Sequence, residues 1–280
     1  MGVIFLFIDG IGLGEPVTQN PFSVHSYKSF EKLTGGKFIK GAKPILKKDH
    51  IFKPIDANLG MEGLPQSGTG QTSLFTGINA SKEIGKHFGP YPHSGIKPFL
   101  KKKSIFHAVQ QLGKSPYFMN AYPPVFFEQS KKRGRWSCTT LMTKSAGMKL
   151  NTTEDILNEK ALTAEIIQNA WKDKLNIDLP KITPIDAAKR LLKVAESYDL
   201  TLFEYYLTDK AGHSQDHGYA KKVLEPLDQF LMHIIEHKKR TDVLLITSDH
   251  GNLEDLSTKT HTRNKVPLFV LGEGIEAFQS

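Results

Sequence analysis

Four short apolar runs carry or border on acidic or imidazole side chains, and this pattern constrains the chain more than any other feature. The runs are GVIFLFIDG, reaching Asp9; LTLFEYYLTDKAGH, with Asp209 and His213; DVLLITSDHG, with Asp249 and His250; and VPLFVLG, preceded by THTRN and His261. Short runs without polar alternation read as strands buried on both faces, as in a parallel sheet covered by helices. In an open α/β sheet, the loops at the carboxyl ends of parallel strands meet in one crevice. Three Asp and three His at strand ends are therefore expected to converge. The fold class expected is α/β, a mostly parallel sheet flanked by helices on both faces.

Between the runs the punctuation is that of helices and turns. GLPQSGTGQTSLFTGINA, with its glycines and Pro65, precedes a helix expected over 69–78. A second helix is expected over 104–112, stopped by Gly113 and followed by the strand-like SPYFMNAY. From Pro123 to Asn158 the pattern turns aromatic, basic and polar, and a small cap over 123–158 is expected there. Helical spacing returns in EKALTAEIIQNAW, residues 159–171, and again after Thr183, where Pro184 suits the first helical position and Asp186 the first turn.

Composition fits a soluble enzyme: 280 residues, 39% hydrophobic and 24% charged, suffice for one large catalytic domain over 1–280 that contains the cap. VIFLFI is too short to span a membrane and lacks the flanks of a signal peptide, so it reads as the first strand. The single Cys138 cannot form an internal disulfide and reads as a buried hydrophobe, which makes the cytoplasm the expected setting. Net charge is +8, concentrated between Ser81 and Arg135, where eleven Lys and Arg face only Glu83 and Glu128. Such a sector would steer anionic substrates toward a neighbouring site. Within it, Arg133 and Arg135 are candidates to grip a second anionic group of the substrate bidentately. No membrane partner is expected and no nucleic-acid motif is visible, while the oligomeric state stays open.

Carboxylate and imidazole donors together suit Zn²⁺ or Mn²⁺, whereas Mg²⁺ and Ca²⁺ prefer oxygen alone. Asp209 and His213 share one face if the chain turns helically after its strand. Asp249 and His250 are adjacent and would point to opposite faces of a strand. Both reach one ion only if the chain turns there, and Gly251 and Asn252 supply the turn. The loop PQSGTGQT offers a nucleophile in Ser67, ahead of a helix whose N–H groups and dipole hold phosphate. A metal on its oxygen would lower the hydroxyl pKa. Thr69 is the rival nucleophile, and either hydroxyl could serve only as a helix cap.

Taken as a set, DGIG after the first strand, PQSGTGQT, DKAGH, SDHGN and HTRNKVP resemble, in that order across nearly the whole chain, the alkaline phosphatase superfamily. The resemblance is to its branch with cofactor-independent phosphoglycerate mutase and phosphopentomutase. It implies an alkaline phosphatase-like fold and a nucleophile three residues before a Gly, which selects Ser67 by its distance from Gly70. It also implies two divalent ions, Mn²⁺ or Zn²⁺, one on Asp209, His213 and His261 and the other on Asp9, Ser67, Asp249 and His250. Gly68, Thr69 and Gln71 are expected beside the substrate, with Gln71 standing where the mutase branch commonly has His. That branch carries a large second domain or a substantial cap, whereas the interval from Ala80 to Asp209 here must also supply core strands and helices. The function expected is hydrolysis of a phosphate monoester or diester, on an anionic phosphate-containing small molecule, through a phosphoseryl intermediate. An intramolecular phosphomutase and a metal-stabilised nucleic-acid or polyanion binding module are the alternatives.

Overall fold

The computed structural model describes residues 2–279 and contains one seven-stranded sheet. Its strands are β1 (Val3–Ile8), β2 (Ile45–Leu46), β3 (His50–Ile55), β4 (Pro116–Phe118), β5 (Leu200–Tyr205), β6 (Val243–Thr247) and β7 (Val266–Leu271). They lie in the order β2-β3-β7-β6-β1-β5-β4. β1 runs parallel to both β5 and β6, and β4 parallel to β5. β7 is antiparallel to β6 and to β3, and β2 antiparallel to β3, so only β2 and β7 oppose the common direction. The mostly parallel α/β sheet flanked by helices is therefore the observed fold. Because β7 runs backwards, the segment leading into it lies at the end of the sheet where β1, β5 and β6 finish.

The unbroken hydrophobicity of these strands follows from helices on both faces. Ile4, Leu6 and Ile8 point into one cluster with Phe203, Tyr205, Leu244, Ile246 and residues of the helices Pro184–Ala195 and His217–His237. Phe5 and Phe7 point into the opposite cluster with Phe75, Leu100, Phe106, Phe118, Cys138, Met142 and Leu202. Two-residue periodicity thus assigns each strand residue to one of two cores. No helix among the described residues is long and apolar enough to cross a membrane.

The expected helices form with shifted boundaries. The helix expected over 69–78 runs Ser67–Thr76, so Ser67 is its first residue, and it ends at Gly77 in the left-handed conformation. That expected over 104–112 is Ile105–Gln111, preceded by a separate helix Lys97–Lys103, and the run SPYFMNAY is strand only over Pro116–Phe118. Thr183 caps Pro184–Ala195 through Asp186 N–H, as its sequence indicates. The stretch 159–171 departs from expectation, for a helix forms only over Asn169–Leu175. Upstream of it Ile166 and Gln168 adopt positive φ, 72° and 65°. Ala161, Leu162 and Ile166 are buried. Leu162 bridges Asn120 beyond the end of β4, and Arg190 Nη1 donates to the Ala161 carbonyl and to Gln168 Oε1. The apolar spacing there reports burial at the sheet's margin, which the chain achieves in an irregular path.

The stretch 123–158 folds as helices Pro124–Arg133, Cys138–Ser145 and Thr153–Leu157. Cys138, Leu141, Met142 and Leu150 are buried in the cluster that holds Phe5 and Phe7, while Lys131 to Arg135 are exposed.

Phe75 anchors the Ser67–Thr76 helix to the sheet, its ring centroid 6.0 Å from that of Phe5 and 5.4 Å from that of Phe7. Phe75→Ala is expected to cost about 3–5 kcal/mol, as for other fully buried phenylalanines, read as a lower midpoint in urea unfolding.

Candidate metal centre and nucleophile

The ligand candidates gather at the end of the sheet that the topology predicts. Asp9 follows β1, Asp209 lies in the first turn of the helix Leu207–Ser214 after β5, Asp249 and His250 follow β6, and His261 precedes β7. Donor atoms of Asp9, Asp249 and His250 all lie within 4.8 Å of one another, as do those of Asp209, His250 and His261. His250 Nε2 is 3.3 Å from Asp9 Oδ1 and 3.5 Å from Asp249 Oδ2. His261 Nε2 is 3.5 Å from Asp209 Oδ1, and the helical turn brings His213 Nε2 to 3.3 Å from Asp209 Oδ2. The His250 and His261 rings stack at 3.7 Å, and His213 lies 5.1 Å from His261, so the six residues form one continuous cluster. His250 sits between the two groups, a sharing that ligand spacing in the sequence does not reveal.

The outer nitrogens of two imidazoles are already engaged. His213 Nδ1 meets the Lys259 carbonyl and His261 Nδ1 the Pro65 carbonyl, each at 2.7 Å. A backbone carbonyl on Nδ1 fixes the tautomer and leaves Nε2 as a lone pair, the arrangement found behind metal-binding histidines.

Electrostatics argues for cations here. Asp9 Oδ1, both oxygens of Asp249 and His250 Nδ1 are buried without a hydrogen-bond partner. Orphaned polar atoms of this kind are costly and call for an explanation. Burial, then the neighbouring Asp249 and Asp209, pushes the Asp9 carboxyl well above the usual carboxylate range. Burial, then Asp209, pushes Asp249 up to about 7. His250 is pushed down to about 3 by burial and by His261, so its ring is neutral and free to ligate. Carboxylates raised by burial and by one another's charge, beside the neutral His250 ring, are the donor set of a divalent-ion site. The residues fit such ions.

Ser67 points its hydroxyl at this cluster, with Oγ 3.0 Å from His250 Nε2. Thr69 is occupied elsewhere: its Oγ1 donates to the Gln66 carbonyl and accepts from Phe88 N–H, and its own N–H donates to the Phe88 carbonyl. Gly68 lets that neighbouring loop approach, since a Cβ there would lie 2.3 Å from the Tyr91 oxygen. Gln71 Nε2 donates to Asp9 Oδ2 at 3.3 Å, holding a ligand in place. Gly68, Thr69 and Gln71, expected beside the substrate, make these contacts with the Phe88 loop and with Asp9. Arg133 and Arg135 are exposed and make no ion pair or hydrogen bond with the cluster among the described residues.

Two further residues beside the cluster have roles that the sequence did not assign, where Asn252 figured only as a turn residue. Asn252 Nδ2 donates to Asp209 Oδ1 at 2.7 Å. Glu204, buried on β5 with Thr139 Oγ1 donating to it at 2.8 Å, is pushed up to about 7 chiefly by burial. A glutamate inside the run LTLFEY was its signal, because an acid so placed is seldom buried without a task.

Sheet, ligand cluster and nucleophile together define an α/β metalloenzyme. A profile of the metalloenzyme superfamily matches residues 1–280, and the chain belongs to this alkaline phosphatase-like family. It is 32% identical over 278 residues to phosphopentomutase of Alkaliphilus metalliredigens, covering 96% of this chain and 67% of that one. To phosphopentomutase of Clostridioides difficile it is 28% identical over 276 residues, covering 92% of this chain and 64% of the relative. A 2,3-bisphosphoglycerate-independent phosphoglycerate mutase of Desulforudis audaxviator is 30% identical over 120 residues, 37% of this chain and 24% of that protein. The chain thus spans between a quarter and two-thirds of the length of these relatives. Among solved structures, a Pyrococcus horikoshii protein superposes with a TM-score of 0.58 at 14% identity, covering 98% of this chain and 86% of the other. Alkaline phosphatase from the Antarctic bacterium TAB5 gives 0.51 at 15% identity, covering 99% and 93%. Both share the fold.

Ion binding is expected to depend on pH with a definite sign. In the metal-free protein the raised folded-state pKa values of Asp9 and Asp249 contribute stability at low pH that is lost as pH rises toward about 7. The depressed pKa of His250 works oppositely, its contribution being lost as pH falls from the unfolded value toward about 3. An ion must displace the aspartate protons, so its affinity should rise by roughly tenfold per pH unit per proton displaced below pH 7. Calorimetric titration of metal-stripped protein with Mn²⁺ at pH 6 and pH 8 checks this. The elevation of Tm by the ion should be larger at pH 8.

Proposed function

We propose that the protein is a metal-dependent phosphoric ester hydrolase in which Ser67 takes a phosphoryl group from an anionic small molecule and passes it to water. The observation that carries this reading is the Ser67 hydroxyl at the start of a helix, 3.0 Å from His250 Nε2, where the two ligand groups meet. Asp9, Ser67, Asp249 and His250 would hold one ion and Asp209, His213 and His261 the other. Bound there, two divalent ions of the Mn²⁺ or Zn²⁺ kind supply positive charge that lowers the hydroxyl pKa and offsets the charge of the phosphoryl group.

The chain's own residues account for the remaining steps. Ser67 Oγ bonds to phosphorus as the P–O bond to the leaving group breaks, and the serine proton ends on the departing alcohol. Water then attacks the phosphoserine, the Ser67 oxygen leaves and takes up the proton that this water gives up, and inorganic phosphate departs. The N–H groups of Ser67 and Gly68 and the dipole of the first helical turn, in which the Thr69 N–H is already held by the Phe88 carbonyl, favour the phosphate oxygens during both steps. Phe75 and Thr69 hold this turn on the sheet and on the Phe88 loop, so Ser67 is positioned before substrate arrives.

A mutase of the phosphopentomutase kind is the second reading, favoured by 32% identity across 96% of the chain. It shares the first step and differs in returning the phosphoryl group to the same substrate, which requires water to be excluded meanwhile. We favour water as acceptor because much of the interval from Ala80 to Asp209 is drawn into the sheet's own core through Leu100, Phe106, Phe118, Cys138, Met142 and Leu202. The exposed segment from Lys131 to Arg135 is left to contact the leaving group. A cytoplasmic setting accords with the lone buried thiol of Cys138.

Ser67→Ala is expected to lower turnover of p-nitrophenyl phosphate by roughly a thousandfold or more, as for removal of other nucleophiles. Mass spectrometry of acid-quenched protein should find the phosphoryl adduct on the peptide containing Ser67, and Thr69→Ala should retain it. In ¹⁸O-labelled water the released phosphate should carry label. Isomerisation of a sugar phosphate with neither label nor phosphate release would favour the mutase instead.

A further inference from the structure

Glu254 is almost wholly buried, at 1% exposure, four residues beyond His250, and its carboxylate is saturated with donors. Oε2 accepts the N–H of Gly12 and of Asn252, each at 2.8 Å. Oε1 accepts Asn264 Nδ2 at 3.0 Å and the hydroxyl of Thr262. Four donors on two oxygens use the acceptor capacity of a carboxylate.

The donors come from the loops that present the ligands. Gly12 lies three residues after Asp9 in the loop leaving β1, and Thr262 adjoins His261 before β7. Asn252 lies two residues after His250, and its side chain holds Asp209 Oδ1 at 2.7 Å. Backbone bonds from Leu253 N–H to Gly10 O and from Thr262 N–H to Gly251 O, both 2.9 Å, close the same knot. The backbone is shaped to admit the carboxylate. A Cβ on Gly12 would lie 2.5 Å, and one on Gly251 2.2 Å, from Glu254 Oε1. A residue that only stapled one turn would not need a donor from the loop after β1 as well as donors from both ends of the β6–β7 connection.

We infer that Glu254 is a positioning residue that sets the spacing of Asp9, His250 and His261 by binding the loop after β1 and both ends of the β6–β7 connection to one carboxylate, and that reaches Asp209 through Asn252. The inference rests on the reading of the cluster as a divalent-ion centre. Glu254→Gln keeps the shape but turns an amide N–H₂ against existing donors, which forces the loops apart. Replacing Asn264 by Asp in that background gives the new amide an acceptor and restores the pairing with charge conserved.

The test is titration of metal-stripped full-length protein with Co²⁺, followed by its visible absorption, and with Mn²⁺ by calorimetry. Glu254→Gln should weaken at least one ion by roughly 10–100-fold, the range for residues that orient ligands, and alter the Co²⁺ spectrum while circular dichroism stays unchanged. The double variant Glu254→Gln/Asn264→Asp should recover most of the affinity and the wild-type spectrum. Wild-type affinity and spectrum in Glu254→Gln, or no recovery in the double variant, would overturn the inference. If Glu254→Gln does not fold, Asn264→Ala, which removes one donor, replaces it. A several-fold loss of affinity is then expected, and an unchanged affinity would count against the role. Wild type that binds no divalent ion would sink the proposed centre and this inference together. Wild type that binds two, with Glu254→Gln unchanged, would sink this inference alone.

Discussion

Like charge brought together out of water is the constraint on which the active end of this molecule depends. Asp9 and Asp249 are buried with oxygens that no hydrogen bond satisfies, and Asp209 stands close enough to raise both. A fold that does this must hold the carboxylates against their repulsion and their loss of solvation. Protons relieve the strain at low pH, and divalent ions relieve it at neutral pH without giving up the charge. The same burial keeps His250 neutral, so one environment prepares both kinds of donor.

What resists the repulsion is the sheet. β1, β5 and β6 lie side by side and buried on both faces, and their carboxyl ends deliver Asp9, Asp209 and Asp249 at fixed separations. Strands alone fix where each loop starts, not where its side chains finish. That last adjustment is made by polar contacts with no counterpart in the hydrophobic cores: Gln71 on Asp9, Asn252 on Asp209, and carbonyls on the outer nitrogens of His213 and His261. Core and site are therefore stabilised by different physics, one non-directional and the other geometrically exacting.

This division explains what the sequence discloses. The strands were legible because burial on both faces leaves an unbroken apolar run, and the convergence of the Asp and His side chains because they stand at the ends of those runs. The order of the strands and the reversal of β7 were not legible, yet the convergence survives because a reversed strand presents its start where its neighbours present their ends. Residues 159–171 misled for a related reason. Apolar spacing records which side chains are buried, and Leu162 and Ile166 are buried in an irregular path with positive φ at Ile166. The tasks of Gly68, Thr69 and Gln71 depended on partners distant in sequence, the Phe88 loop and Asp9, that no local pattern announces.

The helix that begins at the candidate nucleophile Ser67 and the helix that carries Asp209 and His213 belong to opposite sides of this architecture. The helix that begins at Ser67 is seated through Phe75 on the face of the sheet that carries Phe5 and Phe7. The helix bearing Asp209 and His213 contributes Ala211 to the other face, with Ile4, Leu6 and Ile8. The sheet between them sets the distance from Ser67 Oγ to the cluster, and β1 supplies both cores as well as Asp9. Packing changes on either face should thus be felt as changes in the spacing between hydroxyl and ligands, because close-packed layers transmit displacement instead of absorbing it. Such coupling gives a physical reason for the rigid aromatic seat beneath a serine whose hydroxyl stands 3.0 Å from His250 Nε2. On the proposed reading of the cluster as a divalent-ion centre, the chain's contribution to reactivity at Ser67 is position.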